Sequence, residues 1–355
     1  MNDFIVSICV VAYNEESYLP KLFDDILAQT YPKEKSEIVF VDSMSDDSTK
    51  QLFSDFKLKH KGEYHNIVVA DNPKRLQAPG WNVAITSSSG DIIFRIDAHA
   101  QIPPEFVENN VRHHENGEFV TGGVRPNIID GDTPYKRTLL MAESSMFGSS
   151  IADYRRNTEK SYVKSIFHAA YRREVFEKSG LFNEALGRTE DNEMSLRIRD
   201  NGYKICMCPD IISYQQTRSS LKKMLKQKYG NGYWVARTLK ICPRCISIYH
   251  LVPFVFLLGI ICAIGLSFVS WIFPALYFGL YALVAVLMTV FAIVSEKKRH
   301  FVNLILPILS DLWLQTGDNL LFYESDYLKN TLQKSPFKRR NRRCDSKTVG
   351  SGFKS

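Results

Sequence analysis

Between Arg244 and Glu296 the chain has 51 residues in a row without one Asp, Glu, Lys or Arg. The core of a soluble domain has no use for a charge-free run of that length, whereas a membrane-crossing helix needs about 20 apolar residues. The run therefore predicts two spans, 251–269 and 275–294, with Gly265, Ser267, Ser270, Trp271 and Pro274 gathered where a hairpin would turn. Acidic residues are also scarce from Lys334 onward, where eight basic residues meet one acidic, Asp345. Without that tail the chain carries 37 residues of each sign, so the net charge of +7 implies no basic face and no nucleic-acid partner. The seven cysteines are odd in number and scattered, which excludes a disulfide framework and fits a reducing, cytosolic domain. Cys242 and Cys245 form a lone CxxC with no second pair, which suits palmitoylation beside a membrane better than zinc or redox chemistry. The opening residues include Asp3 and no basic segment, so they do not read as a cleavable signal. With 45% hydrophobic and 23% charged residues, a disordered or collagenous chain is excluded as well.

The flanks of the charge-free run set its orientation. Arg237, Lys240 and Arg244 precede it, and Lys297, Lys298 and Arg299 follow, which places both ends on the cytoplasmic side. A third apolar stretch, 301–314, is shorter and contains Pro307 and Asp311, so it reads as an interfacial or re-entrant helix. The basic run KRRNRR at 338–343 either rests on anionic headgroups or is simply solvated.

Ahead of residue 240 the pattern alternates. Apolar runs at 4–11, 37–41, 66–69 and 91–96 predict strands, and 19–29, 48–61 and 79–87 predict helices between them. This order predicts an open α/β fold with a mostly parallel sheet and flanking helices, and such sheets bind ligands at the carboxyl ends of their strands. Three of those ends carry polar groups: Asn14 with Glu15, then Asp42, then Asp97. Asp97-Ala98-His99 leaves its strand with a carboxylate and an imidazole two residues apart, a donor pair suited to Mn2+ or Mg2+ on a diphosphate.

Taken in order, these residues resemble the family 2 glycosyltransferases of GT-A fold, over about residues 4–235. SICVVAYNE (7–15) is similar to that family's first strand and nucleotide-contacting turn, which implies nucleotide contacts at Ala12, Asn14 and Glu15. VDSMSDDST (41–49) resembles its second strand end, with Asp42 at the base or ribose; Ser43 and Met44 stand where the family has Asp and Gly. Asn82 matches the Asn before the Gly90-Asp91 turn, which implies a further contact to the nucleotide sugar there. Asp97-Ala98-His99 takes the place of the DxD motif, with Gln77 and Pro103 around it as in the succinoglycan-biosynthesis type. The pair Glu190-Asp191 matches the family's general base, which falls on Asp191, at the start of an amphipathic helix. FHAAYRREVFEKSGLF (167–182), with Arg172 and Arg173, resembles the acceptor-side segment. QQTR (215–218) resembles the start of the QxxRW motif of processive synthases, with Ser219 in place of Trp; Arg218 would face the leaving diphosphate.

The resemblance implies an inverting, metal-dependent glycosyltransferase using Mn2+ or Mg2+. It would move one sugar from a nucleotide sugar, UDP-linked by expectation, to a lipid-linked oligosaccharide in exopolysaccharide or capsule synthesis. The chain would then divide into a catalytic domain (1–240), a membrane hairpin with an interfacial helix (241–323) and a basic cytoplasmic tail (324–355), anchored among membrane lipids. Two alternatives stay open: a polyprenyl-phosphate glycosyltransferase, whose acceptor is already ionised, and a silent scaffold that binds nucleotide sugar.

Overall fold

The computed structural model describes residues 4–144 and 159–295. The predicted alternation is present: β1 (Val6–Ala12), α1 (Leu19–Leu27), β2 (Ser36–Asp42), α2 (Thr49–Lys59), β3 (Asn66–Asp71), α3 (Gln77–Ser87) and β4 (Ile92–Asp97). Then come β5 (Ala100–Gln101), α4 (Phe106–Glu115), β6 (Val120–Val124), β7 (Asn127–Ile128) and α5 (Pro134–Ser144). After residue 158 follow β8 (Ser161–Val163), β9 (Ala170–Arg172), α6 (Arg173–Ser179), α7 (Glu190–Asp200), β10 (Ile205–Ile212), β11 (Tyr214–Gln216) and α8 (Leu221–Ile241). Two apolar helices, α9 (Val252–Ser267) and α10 (Ile272–Ser295), end the described chain.

Strands β1, β2 and β4 are continuous apolar runs because helices cover both faces of the sheet. Ile8, Val10, Phe40 and Phe94 face one layer, in which Phe53 of α2 stacks on Phe40 at 4.5 Å. Cys9, Val39, Val41 and Ile93 face the other, against Trp81 of α3 and Met194 of α7. The eight-stranded order is β3-β2-β1-β4-β9-β6-β10-β8. Four of its joints are parallel and three antiparallel. The departure from a parallel sheet has a simple cause. β9 enters from His168, beside the carboxyl end of β4, and so must run back between β4 and β6.

A second sheet, β5-β11-β7, pairs Gln215 with Ala100 and with Asn127. It ties the segment after His99 to the one before Arg218.

Helices α9 and α10 pack as a hairpin. The Tyr277 hydroxyl donates to the Phe256 carbonyl at 2.8 Å, and a Cβ on Gly259 would meet that hydroxyl at 2.5 Å, so the glycine permits the close approach. At 1.5 Å per residue, the 24 residues of α10 extend about 36 Å and the 16 of α9 about 24 Å. The hairpin thus has one helix long enough to cross a bilayer, with a charge-free stretch of 19 residues from Ile272 to Val290, and one shorter than predicted. The shortening arises because a 3-10 turn, Ile248–Leu251, takes up the start of the predicted first span and α9 stops at Ser267. Along the turn Phe268 is 89% and Trp271 74% exposed. The predicted interfacial stretch and basic tail lie outside the described residues.

Candidate active site

Three strand ends stand level at one edge of the main sheet. Ala12 pairs with Asp42 across β1 and β2, and Val11 with Asp97 across β1 and β4. At about 4.8 Å per strand, Asp42 and Asp97 lie roughly 10 Å apart with the β1 turn between them. That turn is stitched to the next: the amide of Asn14 donates to Ser45 Oγ (3.0 Å), and Asn14 Oδ1 accepts from the Asp46 amide (2.8 Å). Asn14 is left-handed, with φ of 56°, a conformation Asn tolerates. Both oxygens of Asp42, which is buried, accept from the Ser45 amide at 3.3 and 3.2 Å, so the carboxylate closes its own turn.

Asp97 sits at the last position of β4. Its Oδ2 meets His168 Nε2 at 3.3 Å, and His168 Nδ1 meets Ser213 Oγ at 2.9 Å. Burial works against the charge on Asp97. The hydrogen bond from His168, with Arg95 and His99 nearby, nevertheless holds the carboxyl well below the usual carboxylate range. Burial also lowers the His168 imidazole, against the pull of Asp97, which suits a neutral ring donating through Nε2 and accepting from Ser213. His168 is itself left-handed, with φ of 45°. His99 Nδ1 lies 3.3 Å from Glu15 Oε1, so the predicted nucleotide-contacting Glu15 and the predicted ligand His99 come together. Asp97 offers an ionised carboxylate braced by His168, and His99 an imidazole held by Glu15, donor types that would suit a hard divalent ion. Among the described residues the group of three candidate ligands within 4.8 Å of one another is instead His113, Cys208 and Asp210, where Asp210 is already paired with Arg112 and His113.

The predicted base, Asp191, lies in the first turn of α7 beside Glu190. Glu190 is buried, and its Oε1 accepts from Arg95 Nη2 at 2.9 Å. Arg95 is held between the Trp81 and Phe182 rings, 4.8 and 5.3 Å from their centroids. Burial pushes the Glu190 carboxyl up to about 7, opposed by Arg95 and reinforced by the charge of Asp191. Asp191 is also raised by burial, against Arg95 and Arg125. A carboxyl lifted toward neutrality is a stronger base than one left at its ordinary value.

Arg218 follows β11, and its Nε donates to Gln227 Oε1 of α8 at 3.2 Å. It stands three residues beyond Gln215, which pairs with Ala100, and three residues reach at most about 10 Å. Asn82 contacts the loop ahead of α7: Oδ1 accepts from the Phe182 amide (2.8 Å), and Nδ2 donates to the Phe182 carbonyl (2.9 Å) and to Glu184 (3.2 Å). It clamps the loop ahead of α7 onto α3. Sequence reasoning assigned no role to His168, Arg125 or the Arg95–Glu190 contact. His168 sits inside the quoted 167–182 segment, so its position was visible although its partner was not.

Residues 7–180 match the family described as Glycosyl transferase family 2. A dolichyl N-acetyl-alpha-D-glucosaminyl phosphate 3-beta-D-2,3-diacetamido-2,3-dideoxy-beta-D-glucuronosyltransferase of Methanococcus voltae is 27% identical over 310 residues, covering 86% of this chain and 92% of that protein. The succinoglycan biosynthesis protein ExoA of Rhizobium meliloti is 24% identical over 231 residues, covering 63% and 67%. Among solved structures, the mannosyltransferase PcManGT of Pyrobaculum calidifontis, in complex with GDP-Man and Mn2+, superposes with a TM-score of 0.60 at 19% identity over 87% of each chain. The GT-A-like sheet, the matched residues 7–180 and these relatives together show that the chain carries a family 2 glycosyltransferase domain.

Proposed function

We propose that the protein transfers one sugar from a nucleotide sugar to a lipid-linked acceptor, with inversion, at the cytoplasmic face of a membrane. The observation that carries this reading is the Arg95–Glu190 contact at 2.9 Å. It joins the strand bearing Asp97 to the helix bearing Asp191, so a diphosphate-side carboxylate and a base-side carboxylate belong to one assembly. A divalent ion held by Asp97 and His99 would supply charge stabilisation to the departing diphosphate. Glu15 and His168 orient those two donors. Asp191 takes the proton of the acceptor hydroxyl as its oxygen bonds to the anomeric carbon; the bond from that carbon to the diphosphate oxygen breaks, and the nucleoside diphosphate leaves with the electron pair. Arg218 adds positive charge on the leaving side.

The exposed apolar hairpin supports a membrane location, since an apolar surface of that extent needs a cover. Anchoring on the surface that holds a lipid-linked acceptor raises their effective concentration. Several relatives are named for dolichyl- or undecaprenyl-phosphate substrates, in keeping with a lipid carrier here. The domain division follows: catalytic domain to about residue 240, then the hairpin.

The test is nucleotide release by the purified protein in detergent, from UDP- and GDP-sugars with Mn2+, Mg2+ or EDTA. Metal-dependent release from one donor is expected, and Asp191→Asn should cut transfer about 100- to 10,000-fold while nucleotide affinity holds within twofold. Full activity in Asp191→Asn would move the reading to a lipid-phosphate acceptor, which needs no base. Silence across the panel with lipid extract present would leave the scaffold.

A further inference from the structure

Helix α8 does more than lead the chain toward the apolar hairpin. Its inner face is fastened to the three residues that precede the acidic pair of α7. A Cβ on Gly187 would lie 2.2 Å from the Trp234 ring, so the backbone there rests directly on the indole. Arg188 Nη1 donates to Asn231 Oδ1 at 2.9 Å. Thr189, at the N-cap of α7, makes no side-chain cap of its own helix, although that is the usual use of a threonine in this position. Its hydroxyl instead meets Thr238 Oγ1, and both residues are buried. The Thr238 hydroxyl donates its single proton to the Trp234 carbonyl at 2.7 Å, so Thr189 must be the donor to Thr238. The far end of α7 is held as well: Arg244, in the turn after α8, places Nη1 and Nη2 each 3.2 Å from the Asp200 carboxylate. Burial lowers the imidazole of His250, in the 3-10 turn immediately before α9, against the pull of Ser247 and of the Asp191 charge.

We propose that α8 and the turn after it form a strap that aligns Asp191, with Thr238 as its positioning residue. The segment that carries the apolar hairpin thereby also fixes the direction of the base carboxylate. This inference rests on the assignment of Asp191 as the base. It concerns the start of α7: Asp42 and Asp97 sit at the ends of β2 and β4, and Arg218 on the leaving side meets α8 at Gln227, about three turns before Thr238. Losing the strap should therefore misalign the proton acceptor while leaving donor binding intact. A displacement near 1 Å at a reacting group costs on the order of 100-fold in rate.

The experiment uses the full chain in detergent and follows nucleotide release from whichever of UDP-N-acetylglucosamine, UDP-glucose or GDP-mannose the unaltered protein turns over. Thr238→Val, which leaves the Thr189 hydroxyl without its acceptor, should lower kcat about 10- to 100-fold with donor KM unchanged. Thr238→Ser keeps the hydroxyl and should stay within about twofold of the unaltered protein. Gly187→Ala, which forces the Trp234 ring away, should reproduce the kcat loss by an independent route. Wild-type kcat in both Thr238→Val and Gly187→Ala overturns the strap, as does a rise in donor KM in step with the fall in kcat, or an equal loss in Thr238→Ser. Asp191→Asn run alongside separates the two levels. If it is inactive while Thr238→Val is unimpaired, only the strap falls; if it is fully active, the base assignment and the strap fall together.

Discussion

Replacing Arg95 with Met should destabilise the protein far more at pH 8 than at pH 5. The reason lies in Glu190, whose carboxyl is raised from 4.5 to about 7 by burial. An acid with a raised folded-state value binds its proton more tightly folded than unfolded. The stability it contributes is complete below about 4.5 and lost as pH rises through about 7, a loss of about 3 kcal/mol at roughly 1.4 kcal/mol per unit. Above that range Arg95 is what makes the ionised carboxylate tolerable. Oε1 accepts from Arg95, while Oε2 has no hydrogen-bond partner among the described residues. In Arg95→Met the carboxyl is pushed higher still, so at pH 8 folding must either take up a proton or bury the carboxylate without its cation, and breaking a buried pair this way costs about 3–5 kcal/mol. At pH 5 the carboxyl is already protonated and the variant loses one hydrogen bond from a charged donor, about 1.5–3 kcal/mol. The difference of about 2 kcal/mol corresponds to roughly 4–8 °C in a domain of this size. Melting followed by intrinsic fluorescence in detergent at the two pH values measures it, with Arg95→Met/Glu190→Gln as the control that should lose the pH dependence. Equal destabilisation at both pH values would refute the argument, because it would mean that Glu190 does not titrate between them.

Other perturbations reach different parts of the assembly. His168→Asn keeps a side chain that accepts a left-handed backbone but removes the brace behind Asp97; the Mn2+ concentration needed for half-maximal nucleotide release should rise about 10- to 100-fold, read from a metal titration. In a cysteine-depleted background, Ser270→Cys at the hairpin turn should react with a membrane-impermeant maleimide on intact cells, and Lys59→Cys at the end of α2 only after permeabilisation. Labelling of both positions on intact cells would overturn the proposed orientation.

The parts of this molecule that were legible in the sequence are those with a local period. Apolar runs of four to eight residues broken by polar turns located β1 to β4 within a few residues of their observed ends, and with them the edge that carries Asn14, Asp42 and Asp97. The charge-free run located α9 and α10 because absence of charge is also a local property. What the sequence withheld are contacts between residues far apart in the chain: Arg95 with Glu190, His168 with Asp97, Thr189 with Thr238. Nothing in the spacing of an arginine inside an apolar strand announces which carboxylate it will meet 95 residues later. Asn82 shows the converse. Its position in the motif order was visible, yet its amide is spent on the Phe182 backbone, a contact no pattern within α3 suggests.

These long-range contacts have a common geometry. The acidic pair of α7 is reached from two directions, by Arg95 out of the central sheet and by Trp234 and Thr238 out of α8. Arg95 governs the charge of the pair, since its guanidinium opposes the burial that pushes both carboxyls up. The strap governs direction, since it fixes the residues at which α7 begins. A helix whose first turn carries Glu190, Asp191 and Glu193 gains from its own dipole, but only the outer contacts decide where that turn points. Charge and direction are thus set by separate elements, one built into the sheet and the other continuous with the apolar hairpin. Under the proposed function, a donor bound at the sheet edge can be held ready before an acceptor arrives, and the base is aligned from the side on which a lipid-borne acceptor would approach.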